Sequence, residues 1–154
     1  MTPSLQTSIR RGFERPAAYR PEAQAEFKIL LISGNFESRR TIGKVFEALS
    51  IQVVSCSTLS QARQALLLQR PNLIFCDERL SDGSYEDFLD VDHEGRTAPP
   101  VVVLTRTGEW EFYMDATRRG AFDVIRSPWC PTDIELSILR AAREEKQSVA
   151  RAIR

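Results

Sequence analysis

Five short apolar runs, at residues 27–32, 51–55, 73–76, 101–104 and 122–125, are separated by segments in which large apolar residues recur at helical spacing. Several runs are apolar without alternation, as in strands covered on both faces, and their regular exchange with helical segments predicts βα units around a parallel sheet. Between the first two runs, Ile42, Val45, Phe46 and Leu49 mark one face of a helix over residues 36–49. Leu59, Ala62 and Leu66 mark a second, entered through Thr58 with Gln61 three residues later in capping-box form. The third helix, residues 85–91, is short and acidic, and a polar stretch ending in Pro99-Pro100 follows it. A fourth, residues 109–119, ends at Gly120. The fifth starts after Pro131 with Thr132 and Glu135 as a capping box and continues toward the last residue of the sequence.

The pattern therefore predicts a doubly wound α/β fold with five parallel strands in the order 2-1-3-4-5, whose ligand crevice lies at the carboxyl ends of strands one and three. Residues 27–143 form the domain. Residues 1–26, with Pro3, Pro16 and Pro21 and few large apolar side chains, are expected to be a mobile tail, and residues 144–154 to extend the fifth helix.

Composition narrows the partners. The 154 residues are 42% hydrophobic, enough for one two-sided core. Twenty-one lysines and arginines balance 21 aspartates and glutamates, so no overall field draws the chain to nucleic acid or an anionic membrane. Arg10, Arg11, Arg15 and Arg20 are diluted by Glu14, Glu22 and Glu26. Nucleic-acid binding by this chain is not expected, and no DNA-binding motif is recognisable. Cys56, Cys76 and Cys130 are isolated, without metal-site or disulfide spacing, which fits a reducing cytoplasm. Arg10-Arg11 has no apolar stretch after it, so no export signal is expected, and no apolar run is long enough to span a membrane.

The chemistry sits at the strand tips. Asp77 ends the third run and is followed by Asp82-Gly83, read as a turn, while Ser33-Gly34-Asn35 ends the first. LIFCDERLSDG around Asp77, VVVLTRTG around Thr105, and RRGAFDVIRSPW with Gly120, Ala121 and Pro128 stand in order along the chain. Over residues 27–142 these motifs and the strand count resemble the receiver domain of bacterial two-component response regulators. The resemblance implies a CheY-like fold, Asp77 as phosphoacceptor position, Thr105 as a hydrogen-bond donor to the phosphoryl group, and a cis peptide at Ser127-Pro128.

It also exposes departures. The acid pair that holds Mg²⁺ in the family falls on Ser33 and Gly34, and one carboxylate does not make an octahedral oxygen site. The family's lysine before the proline is Ser127; Arg126 beside it is expected on the opposite strand face. The switch aromatic is Val124. Arg106 replaces a small residue and is expected to fold over the crevice as a fixed countercharge to Asp77 or Asp82.

These departures predict an atypical, degenerate receiver that acts by protein contact in phosphorelay signalling, with no turnover, cofactor or metal. The alternative is a conventional receiver phosphorylated on Asp77 by a histidine kinase with Mg²⁺. An aspartate-nucleophile phosphatase is disfavoured because Arg79 stands where its second aspartate belongs; a flavodoxin-like cofactor binder lacks a phosphate-cradling loop at residues 33–37. The partner would be a histidine kinase or an output protein. Trp110, Phe112 and Tyr113, with Trp129, are candidates for an interface that also supports a homodimer, and Ile134, Ile138, Ala142, Val149 and Ile153 continue an apolar seam. His93, between acidic residues, is read as a solvated loop residue.

Overall fold

A computed structural model describes residues 27–89 and 98–153. The strands are β1 (Lys28–Ile32), β2 (Gln52–Cys56), β3 (Leu73–Asp77), β4 (Arg79–Leu80), β5 (Gly83–Ser84), β6 (Val101–Thr105) and β7 (Asp123–Arg126). The helices are α1 (Phe36–Ala48), α2 (Leu59–Gln69), α3 (Glu86–Leu89), α4 (Trp110–Arg118) and α5 (Pro131–Ile153). Five parallel strands form one sheet in the order β2-β1-β3-β6-β7. Because β4 and β5 form a separate small hairpin, this is the expected 2-1-3-4-5 order of a doubly wound CheY-like fold.

Each face of the sheet carries its own core. Ile29, Leu31, Phe75, Val102 and Leu104 point toward Ile42 and Phe46 of α1 and Ile134, Ile138 and Ala141 of α5. Leu30, Ile32, Ile74, Cys76 and Val103 point the other way, toward Leu59 and Ala62 of α2, Tyr85, Phe88 and Ala116 of α4. Successive strand residues serve opposite layers, which is why the runs are apolar without alternation. Phe46 and Phe75 meet at a centroid distance of 5.2 Å in the first layer.

Local detail adds to the sequence reading at the helix starts and the turn after β3. Thr58 Oγ accepts from the Gln61 amide at 3.2 Å, but Gln61 Oε1 reaches back to the Ser57 amide at 2.9 Å instead of to Thr58. The fifth helix opens at Pro131, a residue earlier than the proposed Thr132 cap, with the Cys130 carbonyl accepting from the Ile134 amide; proline tolerates the first helical position because no partner is needed for its missing N–H. The Asp82-Gly83 turn belongs to the β4–β5 hairpin. Gly83 has φ +153°, and a β-carbon there would overlap Leu59 and the Asp87 carboxylate. Residues 1–26 and His93 lie outside the described residues, as do the side chains of Val149 and Ile153.

Candidate functional site: the crevice at Asp77

Strand register brings the first and third strand tips together. Ile32 pairs with Cys76, so Ser33 arrives beside Asp77. Ser33 is fully buried, and its hydroxyl donates to Asp77 Oδ2 at 2.8 Å. The Gly34 amide donates to the same oxygen at 3.1 Å. Asn35 caps α1, its side-chain oxygen accepting from the Ser38 amide at 2.9 Å, while its own amide donates to Ser33 Oγ at 3.2 Å. The Arg39 guanidinium donates to the Ser33 carbonyl at 2.6 Å. The loop thus approaches Asp77 with hydrogen-bond donors.

That donor set does not fit Mg²⁺. The cation asks for several oxygen acceptors, whereas the Ser33 proton is committed to Asp77 and Gly34 has no side chain. Among the described residues no cluster of three or more histidine, cysteine, aspartate or glutamate side chains is placed to hold a metal. Space is not what limits Gly34, since a β-carbon would meet only Ser57 O at 3.9 Å and Leu80 Cδ2 at 4.0 Å.

Burial pushes the Asp77 carboxyl above its ordinary range; the Ser33 hydroxyl, the Gly34 amide and the Arg106 and Arg39 charges pull it down without reversing the shift. The neighbouring Cys76 thiol is also pushed up, by burial first and then by the Asp77 and Asp87 charges, so it is inert at neutral pH.

The fourth strand tip is wired separately. Thr105, 2% exposed, donates its hydroxyl to Glu78 Oε1 at 2.8 Å and accepts from the Thr107 amide at 3.0 Å. Its hydroxyl is engaged by protein on both counts. Strand parity explains the partner. Leu104 points to the α1/α5 layer and Thr105 to the other, as Phe75 and Asp77 differ from Cys76 and Glu78.

Arg106 does not form the expected ion pair. Neither Asp77 nor Asp82 is within salt-bridge distance of it; its Nη2 donates to Ser38 Oγ at 3.4 Å, and its charge reaches Asp77 only through space. Asp82 is turned to α2, accepting from the Leu59 amide at 2.9 Å and the Ser60 amide at 3.0 Å. These contacts, Leu59 first, hold its carboxyl below the ordinary range. The helix N-terminus has the stronger claim on Asp82, because two amides there lack helical partners.

Ser38, like Glu78, is a residue that sequence reasoning missed. Buried in the first turn of α1, its hydroxyl accepts from Arg106 and, at 3.2 Å, from Trp129 Nε1. It ties α1 to the tips of β6 and β7. Its place three residues after the Asn35 cap was readable from the sequence, but its partners, 68 and 91 residues away, were not.

Ser127 donates its amide to the Thr105 carbonyl at 2.9 Å, and Ser127-Pro128 is cis, as the resemblance implied. Arg126 is exposed and packs against Gly108, away from Asp77, as alternation predicts. The aromatic candidates divide. Trp110, 69% exposed, stacks on Tyr113 at 5.4 Å, and Met114 of the same helix is also exposed. Phe112 turns inward to Tyr85, and Trp129 packs on the α1/α5 core.

Among known proteins, no family model matches the chain. It is 25% identical over 125 residues to the C4-dicarboxylate transport transcriptional regulatory protein DctD of Pseudomonas aeruginosa, covering 81% of this chain and 27% of that protein. It is 25% identical over 101 residues to the response regulator protein PilR of the same species, covering 66% of this chain and 23% of that protein. The chain spans about a quarter of the length of these curated relatives. Its fold superposes on a response regulator receiver domain protein from Clostridium thermocellum with a TM-score of 0.70 at 21% identity, over 78% of this chain and 97% of that one. A CheY-like receiver domain protein from Methanospirillum hungatei gives 0.67 at 20% identity, over 78% and 97%. The fold is that of response-regulator receiver domains, and the sequence likeness supports the same assignment. Among the described residues no helix is long and apolar enough to cross a membrane.

Proposed function

We propose that this chain is an atypical receiver domain of two-component signalling that works by protein contact, with hydrogen-bond donors set against Asp77 in place of Mg²⁺ and phosphoryl transfer. One observation carries the reading: Ser33 and Gly34 give Asp77 two donors where a metal site requires acceptors. Phosphoryl transfer needs a cation to hold the charge that spreads over the transferred oxygens. Ser127 supplies none, and Arg126 faces elsewhere. Thr105 is already bonded to Glu78.

Output then rests on a fixed surface. Trp110, Tyr113 and Met114 of α4 and Leu136 and Leu139 of α5 are exposed apolar groups, and Val124 of β7 lacks the aromatic ring that turns inward in typical receivers. Asp123 further pins α5 by accepting from Ser137 Oγ at 2.6 Å and Arg140 Nη1 at 3.1 Å. The partner is a second copy of this chain or a signalling protein, held independently of phosphate donors.

The test is a titration of the full chain with Mg²⁺ and beryllofluoride, followed through backbone amides. Unchanged resonances for Gly34, Asp77 and Thr105 are expected. Saturable shifts at low metal concentration would replace this reading with a conventional receiver phosphorylated on Asp77.

A further inference from the structure

Residues 128–133 carry the chain from β7 into the first turn of α5, and they lie on the surface with one exception. Pro128, Cys130, Pro131, Thr132 and Asp133 are exposed, whereas Trp129 is half-buried. Its ring packs on the core that Ile42 and Phe46 of α1 share with Ile134 and Ile138 of α5. Its Nε1 donates to Ser38 Oγ at 3.2 Å, and among the described residues this is the one polar link between α1 and residues 128–153. No described side chain accepts from the first-turn amides of α5; the Ile134 amide turns back to the Cys130 carbonyl at 3.2 Å. Beyond that turn the helix is well fastened, by the buried Ile134, by Ser137 and Arg140 on Asp123, and by Asn72 Nδ2 on Glu145 at 2.6 Å. The segment therefore hangs between β7 and Ile134 by a single side chain.

The same side chain is part of the crevice, since Trp129 lines the cavity of about 250 Å³ that also borders Asp77, Leu104 and Arg106. A segment with few buried apolar contacts opens at a fraction of the cost of global unfolding. We infer that residues 128–133 form a strap latched by Trp129 on Ser38, whose release opens one wall of the Asp77 crevice and frees the first turn of α5 together. The latch ties the crevice to the helix that carries the exposed Leu136 and Leu139. That route needs neither Thr105, which is bonded to Glu78, nor an aromatic ring at Val124. The inference rests on the proposed reading of a fixed output surface and deepens it by naming what holds the start of α5 in place. Arg106 shares the Ser38 oxygen through a longer bond of 3.4 Å and is exposed, so Trp129 is the latch and Arg106 is not.

Native-state hydrogen exchange of the full chain tests the latch. The Trp129 indole N–H and the Ile134 and Glu135 amides should exchange through one opening, with protection at least about tenfold lower than that of the Leu30 and Ile74 amides and with little dependence on added urea. Trp129→Phe keeps the ring and removes the donor, and Ser38→Ala removes the acceptor; each should lower the protection of Ile134 and Glu135 by about tenfold, the scale of one lost hydrogen bond. Ser38→Thr, which keeps the hydroxyl, should retain most of that protection, and Arg106→Ala all of it. Protection of Ile134 and Glu135 equal to that of Leu30 and Ile74 in the native chain, no change in Trp129→Phe or Ser38→Ala, or an equal loss in Arg106→Ala overturns the inference. Saturable shifts with Mg²⁺ and beryllofluoride in a separate titration overturn the underlying reading instead.

Discussion

The Ser33 hydroxyl donates to Asp77 Oδ2 at 2.8 Å, joining the tips of β1 and β3 through a residue with no solvent exposure. A bond to a charged acceptor is worth roughly 1.5–3 kcal/mol. Ser33→Ala should lower stability by about that amount in urea unfolding at neutral pH, with a smaller loss in acid, where Asp77 is protonated.

Asp77→Asn should act in the opposite sense. With its native carboxyl raised by burial, the folded chain binds a proton more tightly than the unfolded one. The associated stability is complete below the ordinary aspartate value of 3.8 and is lost as pH rises through the native value. Asparagine keeps an acceptor for Ser33 and Gly34 without the charge. Stability at neutral pH should be equal or higher, and the fall with rising pH from this group should disappear; an unchanged pH profile would count against a buried Asp77 carboxyl.

Ser38→Ala removes the acceptor shared by Trp129 and Arg106. We expect a loss of about 1–2 kcal/mol, as for a partly buried donor left without its partner. In a Trp110→Phe background the emission of Trp129 should shift to the red.

Thr105 and Glu78 should be energetically coupled. A double-mutant cycle of Thr105→Val and Glu78→Gln is expected to give about 1–2 kcal/mol of interaction, within the range for residues in direct contact. Additive effects would remove the Glu78 bond as the reason Thr105 is unavailable to a ligand.

The exposed aromatic pair makes a prediction about assembly. The full chain should sediment as a dimer or with a bound partner, and Trp110→Ala should weaken that association, since buried aromatics dominate interface energy. Comparison with a chain ending at Arg143 separates the α4 surface from the α5 extension.

How much of this was legible beforehand depended on whether the signal was local. The five strands and the faces of α1 and α2 follow from periodicity, because burial in two layers leaves an unambiguous pattern, while the strand order came from the doubly wound fold that such alternation suits. Hydrogen bonds across the strand tips do not. Arg106 was assigned to a carboxylate on charge alone, yet the Leu59 and Ser60 amides hold Asp82, and Ser33 with Gly34 holds Asp77. Arg106→Ala should therefore cost no more than about 0.5 kcal/mol, the usual scale for an exposed substitution. Glu78 was within reach of sequence reasoning, since alternation sets it on the same face as Thr105. The β4–β5 hairpin, two residues per strand, is too short for any periodicity to show.

Gly34 gives the crevice a kind of reversibility. A side chain there would meet only ordinary contacts, and no left-handed backbone stands in its way. An acid introduced at this position would stand on an undisturbed loop whose amide already touches Asp77. A designer could therefore add a second carboxylate beside Asp77 without remaking the fold.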